Sequence, residues 1–194
     1  MRILGIFRGF PGLGRVVAGV SLLEELRDQY GADIRVISYL QGNEYLKTKG
    51  YVDLQEATPM DYCSIGLVPT NKMGVYIHTT IKEYTPDLIL IDGESLIVHS
   101  IKLSFPDMKI AVLLNPSDVD NPYNDKEAMD YFNSLYSMAD VAIVHGLRKI
   151  VKPSLYGYKQ FYSLDTILRR EILEITNKPT QDIYCILGGG TVNV

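Results

Sequence analysis

Asp87-Leu-Ile-Leu-Ile-Asp92, followed at once by Gly93-Glu94-Ser95, is the stretch that sets the fold class. Its four consecutive branched aliphatics show no polar alternation, so a strand here has both faces covered. Ile3-Leu-Gly-Ile-Phe7, Lys109-Ile-Ala-Val-Leu-Leu114 and Val141-Ala-Ile-Val-His145 are short apolar runs of the same kind, and residues 34–39 form a further one. Strands buried on both faces belong to a mostly parallel sheet clothed by helices.

Between these runs the period changes. Residues 16–30 place Val17, Val20, Leu22, Leu23 and Leu26 on one helical face, and Gly31 is suited to end the helix in a left-handed conformation. Residues 74–84, closed by Pro86, and residues 96–105 and 126–139 also read as helices. Residues 41–72, with Pro59 and Pro69, carry no clear period; 115–125 and 148–160 read as loops, and 161–168 as a further strand. Alternating strands and helices with right-handed crossovers give an α/β fold: a doubly wound, mostly parallel sheet of Rossmann-like type. Ligands bind such sheets beyond the carboxyl ends of the strands, which directs attention to residues 8–15, 39–45, 92–95, 114–121 and 145–148.

Length and composition narrow the class further. A chain of 194 residues supports one large α/β domain, or one domain and part of another. It is 46% hydrophobic and 22% charged, as folded soluble proteins are. Nineteen basic against 23 acidic residues give a net charge of −4, and no Lys/Arg run exceeds two, which argues against a nucleic-acid partner. Cys63 and Cys185 form no CxxC or zinc spacing, so neither a disulfide framework nor a metal site is expected, and both read as reduced core thiols of a cytoplasmic protein. The apolar start of the chain is too short for a signal peptide, and no apolar stretch nears the roughly 20 residues of a spanning helix, so any membrane contact would be peripheral.

The first loop is Gly9-Phe-Pro-Gly12-Leu-Gly14-Arg15. Its glycines permit close backbone approach to a ligand, and the following helix aims free N–H groups into the cleft. The spacing is not that of a dinucleotide fingerprint, and no acidic residue ends the second strand to grip a ribose. A tight strand–helix turn without a ligand is the plainer alternative. Arg15 opposes the helix dipole, which costs ~0.5 kcal/mol and suits a cation that faces an anion in the cleft; a solvated surface arginine is the other reading. Asp92 and Glu94 sit at i and i+2 after the best strand, where they can supply a general base and a hydroxyl acceptor; alternatively Asp92 or Ser95 caps the next helix. Asn115, Ser117, Asp118 and Asp120 form a polar loop suited to hydroxyl-rich ligands, or to ordinary turn chemistry. His145 ends a strand on the cleft side, whereas His78 and His99 fall within helices and read as structural. No Ser/His/Asp order, HxxxH or helical carboxylate pair stands out, so no metal or cofactor is expected.

These residues carry a resemblance. Ile3-Leu-Gly-Ile-Phe, Gly12-Leu-Gly14-Arg15 and Ser21-Leu-Leu-Glu-Glu-Leu26 resemble the N-terminal domain of GT-B glycosyltransferases, of the MurG-type and UDP-glucuronosyl/glucosyltransferase-like group. Pro86-Asp-Leu-Ile-Leu-Ile-Asp92-Gly-Glu94 looks like that family's strand ending in Asp-x-Glu, and Ala139-Asp-Val-Ala-Ile-Val144 like the strand before its domain junction. Asp182-Ile-Tyr-Cys-Ile-Leu-Gly188-Gly-Gly190 is similar to the opening strand and glycine loop of its donor-binding domain.

By that resemblance residues 1–175 are an acceptor-binding domain, and 176–194 a linker with the first strand and glycine loop of a truncated donor domain. The implied activity is metal-independent transfer of a sugar from a UDP-type nucleotide sugar to an acceptor hydroxyl. Asp92 and Glu94 would be catalytic, Gly12, Gly14, Arg15, Asn115, Asp118 and His145 would bind acceptor or phosphate, and Gly188, Gly189, Gly190 and Thr191 would form the donor loop. Many relatives end the first glycine loop in a histidine; Arg15 takes that position here and stays protonated, so the base falls to Asp92 or Glu94. A separate donor-domain chain or a homodimer would complete the enzyme, and the chain alone would be inactive. Two other readings stand beside it: a non-catalytic sugar- or nucleotide-binding module or partner subunit, and a nucleotide-sugar epimerase or dehydrogenase on a similar sheet.

Overall fold

The computed structural model describes residues 1–54 and 71–176. Six strands form one sheet in the order β2-β1-β3-β4-β5-β6, and every neighbouring pair is parallel. They are β1 (Arg2–Phe7), β2 (Asp33–Ile37), β3 (Leu88–Asp92), β4 (Ile110–Leu114), β5 (Val141–His145) and β6 (Gln160–Leu164). The helices are α1 (Gly14–Tyr30), α2 (Gln41–Thr48), α3 (Asn71–Tyr84), α4 (Ser95–Ser104), α5 (Pro116–Val119), α6 (Lys126–Tyr136) and α7 (Arg170–Leu173).

The apolar runs become strands because both their faces are covered. Ile3 and Phe7 point to a core completed by Val16, Val20 and Leu23 of α1. Leu4 and Ile6 point the other way, toward Met73, Ile77 and Ile81 of α3 and Ile97, Val98 and Ile101 of α4. All five residues of β4 are buried. The edge strand β6 instead alternates between exposed and half-buried residues. Gly31 closes α1 at φ 63°, and its N–H donates to the Arg27 carbonyl, a left-handed C-terminal cap.

From β1 the chain first steps to β2 at the sheet edge and then returns to β3 on the other side of β1. The loops leaving β1 and β3 therefore diverge to opposite faces, and a crevice opens between them at the carboxyl ends of the strands. This is the doubly wound, Rossmann-like sheet expected from the sequence.

Three local expectations need correction. Residues 41–48, without a clear period in the sequence, form α2; its one fully buried large apolar side chain is Leu46, too few to print a helical stripe. The polar loop 115–125 contains the single turn α5, with Pro116 at its first position. The last strand ends at Leu164 and does not continue to 168. No described helix is long and apolar enough to cross a membrane. Cys63, Cys185, Gly188, Gly189, Gly190, Thr191 and the expected second unit beyond Thr176 lie outside the described residues.

Candidate functional site

The crevice holds a compact cluster of arginines and carboxylates. Asp92 is the last residue of β3, Arg15 lies in the first turn of α1, and Asp118 is in α5. Arg15 Nη1 donates to Asp92 Oδ1 at 2.6 Å and to Asp118 Oδ2 at 3.0 Å, while Nη2 donates to Asp118 Oδ1 at 2.7 Å. One guanidinium thus ties together the loops that follow β1, β3 and β4. The planar fork of arginine suits this bidentate geometry, which lysine cannot reproduce. The anions that Arg15 faces are the chain's own carboxylates. Burial works against the Arg15 charge, but Asp118 and Asp92 outweigh it and hold its pKa above the usual arginine value.

Gly93 makes this arrangement possible. It turns at φ 83°, and a Cβ there would lie 2.5 Å from Arg15 Cδ and 2.8 Å from Arg8 Cβ. Only glycine fits both the left-handed conformation and the two side chains lying over it. Arg8 follows β1 directly, and its backbone N–H donates to the Asp92 carbonyl at 2.9 Å.

Glu94 is the second carboxylate of the turn. Tyr39 donates its hydroxyl to Glu94 Oε1 at 2.5 Å, and Arg8 Nε stands 3.8 Å from the same oxygen. Asp92 is 1% exposed and Glu94 2%. Five polar atoms of this cluster are buried without a hydrogen-bond partner among the described residues: Asp92 Oδ2, Glu94 Oε2, Arg8 Nε and both ring nitrogens of His145. Glu94 is the N-cap residue of α4, yet no side-chain hydrogen bond caps that helix. Helix capping therefore does not explain these carboxylates.

Burial dominates their titration. Desolvation raises Glu94 to about 7, against the opposing pull of Arg8 and the Tyr39 hydrogen bond. Desolvation likewise raises Asp92, to about 6, but Arg15 in direct contact opposes it far more closely. Glu94, with its cation 3.8 Å away, is the group that gains a proton more readily. His145 is held below the ordinary histidine value by burial first and by the charge of Arg15 second, so it is neutral at pH 7.

The other expected residues fall into place unequally. Asp118 joins the cluster; Asn115 meets it through its backbone, whose N–H donates to Asp118 Oδ2 at 2.7 Å. His145 ends β5 beside Arg15 and Asp118, buried, without a hydrogen bond to either. Gly12 turns at φ 82° and donates its N–H to Gln41 Oε1 at 3.2 Å, and Gly14 opens α1 with free space where a Cβ would stand. Asp120 faces away and pairs with Arg148 at 2.9 Å. His78 bonds Ser100 at 3.1 Å between α3 and α4, as a structural histidine does.

A cavity of 170 Å³ opens beside the cluster, lined by Arg8, Arg15, Ser117, Asp118 and Asn124 on its polar side. Met129, Phe132 and Tyr136 complete the lining from α6. Asp92 and Glu94 are not among the lining residues; they lie one layer deeper, in contact with the two arginines. Sequence reasoning missed Arg8, Tyr39 and Tyr136. Arg8 and Tyr39 were within reach, because each stands at the carboxyl end of a strand. Tyr136 carries no such signal, being the last residue of α6 and far along the chain from Arg8 and Arg15, with which it lines the cavity.

No protein-family model matches the chain, and no curated protein does. Solved structures do. UDP-GlcNAc 2-epimerase from Neisseria meningitidis, bound to UDP-GlcNAc, aligns with TM-score 0.51 and 12% identity over 74% of this chain and 40% of that one. Arabidopsis thaliana UGT89C1, complexed with UDP, aligns with TM-score 0.52 and 12% identity over 86% of this chain and 49% of that one. The fold is GT-B-like. At this identity the likeness is one of fold, and the chain spans less than half the length of either protein.

Proposed function

We propose that this chain is the acceptor-binding part of a glycosyltransferase that moves a sugar from a UDP-type nucleotide sugar to an acceptor hydroxyl. The observation that carries this reading is the pair of buried carboxylate oxygens without a hydrogen-bond partner among the described residues, Asp92 Oδ2 and Glu94 Oε2, on the turn beside the switch point of the sheet. Glu94 is the base. Its pKa near 7 lets it be ionised when the acceptor arrives and hold a proton afterwards. The acceptor hydroxyl donates to Glu94 Oε2, its oxygen attacks the anomeric carbon, the bond to the UDP phosphate breaks, and the proton stays on Glu94. Asp92 orients Arg15 and with it the loops after β1 and β4. Arg8, held by one 3.8 Å ion pair, is the side chain that an acceptor displaces to reach Glu94.

The two structural neighbours were solved with UDP-GlcNAc and with UDP, which supports the nucleotide-sugar side of this reading. Nucleotide contacts would come from a donor-binding domain, either further along the same protein or on a separate chain, or from a homodimer. On this reading the protein works in the cytoplasm, without nucleic acid, and membrane contact is peripheral.

The burial of Asp92 and Glu94, at 1% and 2% exposure, favours a second reading: a non-catalytic sugar- or nucleotide-binding module or partner subunit. Glu94→Gln in an assembly that includes a donor domain separates the two. A general base contributes on the order of 10²–10⁴-fold, so turnover should fall by at least 10²-fold with substrate affinity retained. Unchanged turnover would leave the binding module as the better account. Calorimetry of this chain with UDP gives an independent check: no binding fits an acceptor half, whereas micromolar binding favours the module.

A further inference from the structure

The cavity beside the cluster has a chemistry of its own. Its wall presents two arginines against one aspartate, and the two arginines differ in what they have left to give. Arg15 is committed to Asp92 and Asp118 through three hydrogen bonds. Asp118 is spent as well, since its oxygens take Arg15 and the Asn115 N–H. Arg8 has a buried Nε with no hydrogen-bond partner among the described residues and one ion pair at 3.8 Å, too long for a hydrogen bond. Ser117 and Asn124 add a hydroxyl and an amide, and Met129 and Phe132 supply an apolar surface. A volume of 170 Å³ is too small for a whole nucleotide sugar and suits one sugar ring or one phosphate.

We propose that this cavity is a subsite for an oxyanion carried by the acceptor, a carboxylate or a phosphate, gripped by the Arg8 guanidinium with Ser117 and Asn124 beside it. The inference rests on the acceptor-binding reading and narrows its substrate class to anionic acceptors. An arriving oxyanion pairs with the Arg8 guanidinium, whose side chain makes no hydrogen bond among the described residues, and in doing so draws Arg8 away from Glu94.

The test is a titration of the folded chain, followed by amide NMR, with glucuronate, inorganic phosphate and uncharged glucose. Glucuronate, phosphate or both should bind at least tenfold more tightly than glucose, with shifts centred on Arg8, Ser117, Asn124 and Phe132. Preference for glucuronate identifies a carboxylate site, and preference for phosphate a phosphate site. Arg8→Gln should erase the preference and Arg8→Lys keep part of it, each with an otherwise unchanged spectrum. Equal affinity for glucose, binding that ignores Arg8→Gln, shifts that map elsewhere, or no binding of any probe would overturn the proposal. The Glu94→Gln turnover test fails separately: an Arg8-dependent anion site in a chain whose turnover ignores Glu94 keeps the subsite and rejects the transferase reading.

Discussion

Arg15 and Arg8 lie over the same glycine, and each reaches one carboxylate of the same turn, yet they are opposites. Arg15 makes three hydrogen bonds of 2.6–3.0 Å to two aspartates. Arg8 makes one 3.8 Å ion pair to Glu94 and leaves its Nε unbonded among the described residues. The Arg15 half behaves as a strut of the fold. The Arg8 half keeps its hydrogen-bonding capacity in reserve, which a stability argument does not explain and a ligand would.

The largest effect should come from breaking the strut. Arg15→Met strands Asp92 in the interior, and removing one partner of a buried pair costs about 3–5 kcal/mol. A fall in Tm of many degrees, with a broadened spectrum around α5, is the expected outcome; a Tm within a few degrees of the parent would dissolve the contrast between the halves.

The next effect is a pH dependence. The folded chain holds the Glu94 proton up to about pH 7, whereas an unperturbed glutamate releases it near 4.5. Between those values the native state binds more protons than the unfolded one, so stability falls as pH rises, by on the order of 3 kcal/mol from this group. Asp92 adds in the same direction over the lower part of the window. Glu94→Gln, which mimics the protonated form, should flatten this decline. Urea denaturation of both proteins at pH 4.5 and 8 measures it, and parallel pH profiles would mean that Glu94 is ionised throughout.

The smallest effect is expected at Arg8. Glu94 stands 3.8 Å from Arg8 and burial already raises it to about 7, so it takes up a proton when the cation is removed, and Arg8→Gln should move the urea midpoint far less than Arg15→Met. A loss comparable to that of Arg15→Met would make Arg8 a second strut and remove the reserve on which the anion subsite depends.

How far the sequence could be read differs between the two halves as well. Asp92 and Glu94 were legible because they close an unbroken aliphatic strand, and the carboxyl end of such a strand is where ligands bind. Arg15 was legible as an anomaly, a cation set against a helix dipole, but not as a strut, because its partner Asp118 lies 103 residues away. Arg8 passed as the end of a strand. Its meaning appears only beside what it lacks, and a missing hydrogen bond leaves no mark in a sequence. The helix α2 was hidden for a related reason: Leu46 is its one fully buried large apolar side chain, so no apolar period is written.

By itself, the sequence determined the class of the sheet, the helices between its strands, and the strand ends at which chemistry would gather. These follow from local patterns, since burial on both faces demands continuous aliphatics and helix packing demands a 3.6-residue period. Only the tertiary structure decided which charges neutralise each other and which stay available. That depends on bringing Arg8, Arg15, Asp92, Glu94 and Asp118 from separate loops and helix ends within ion-pairing reach, across sequence separations that no local pattern encodes.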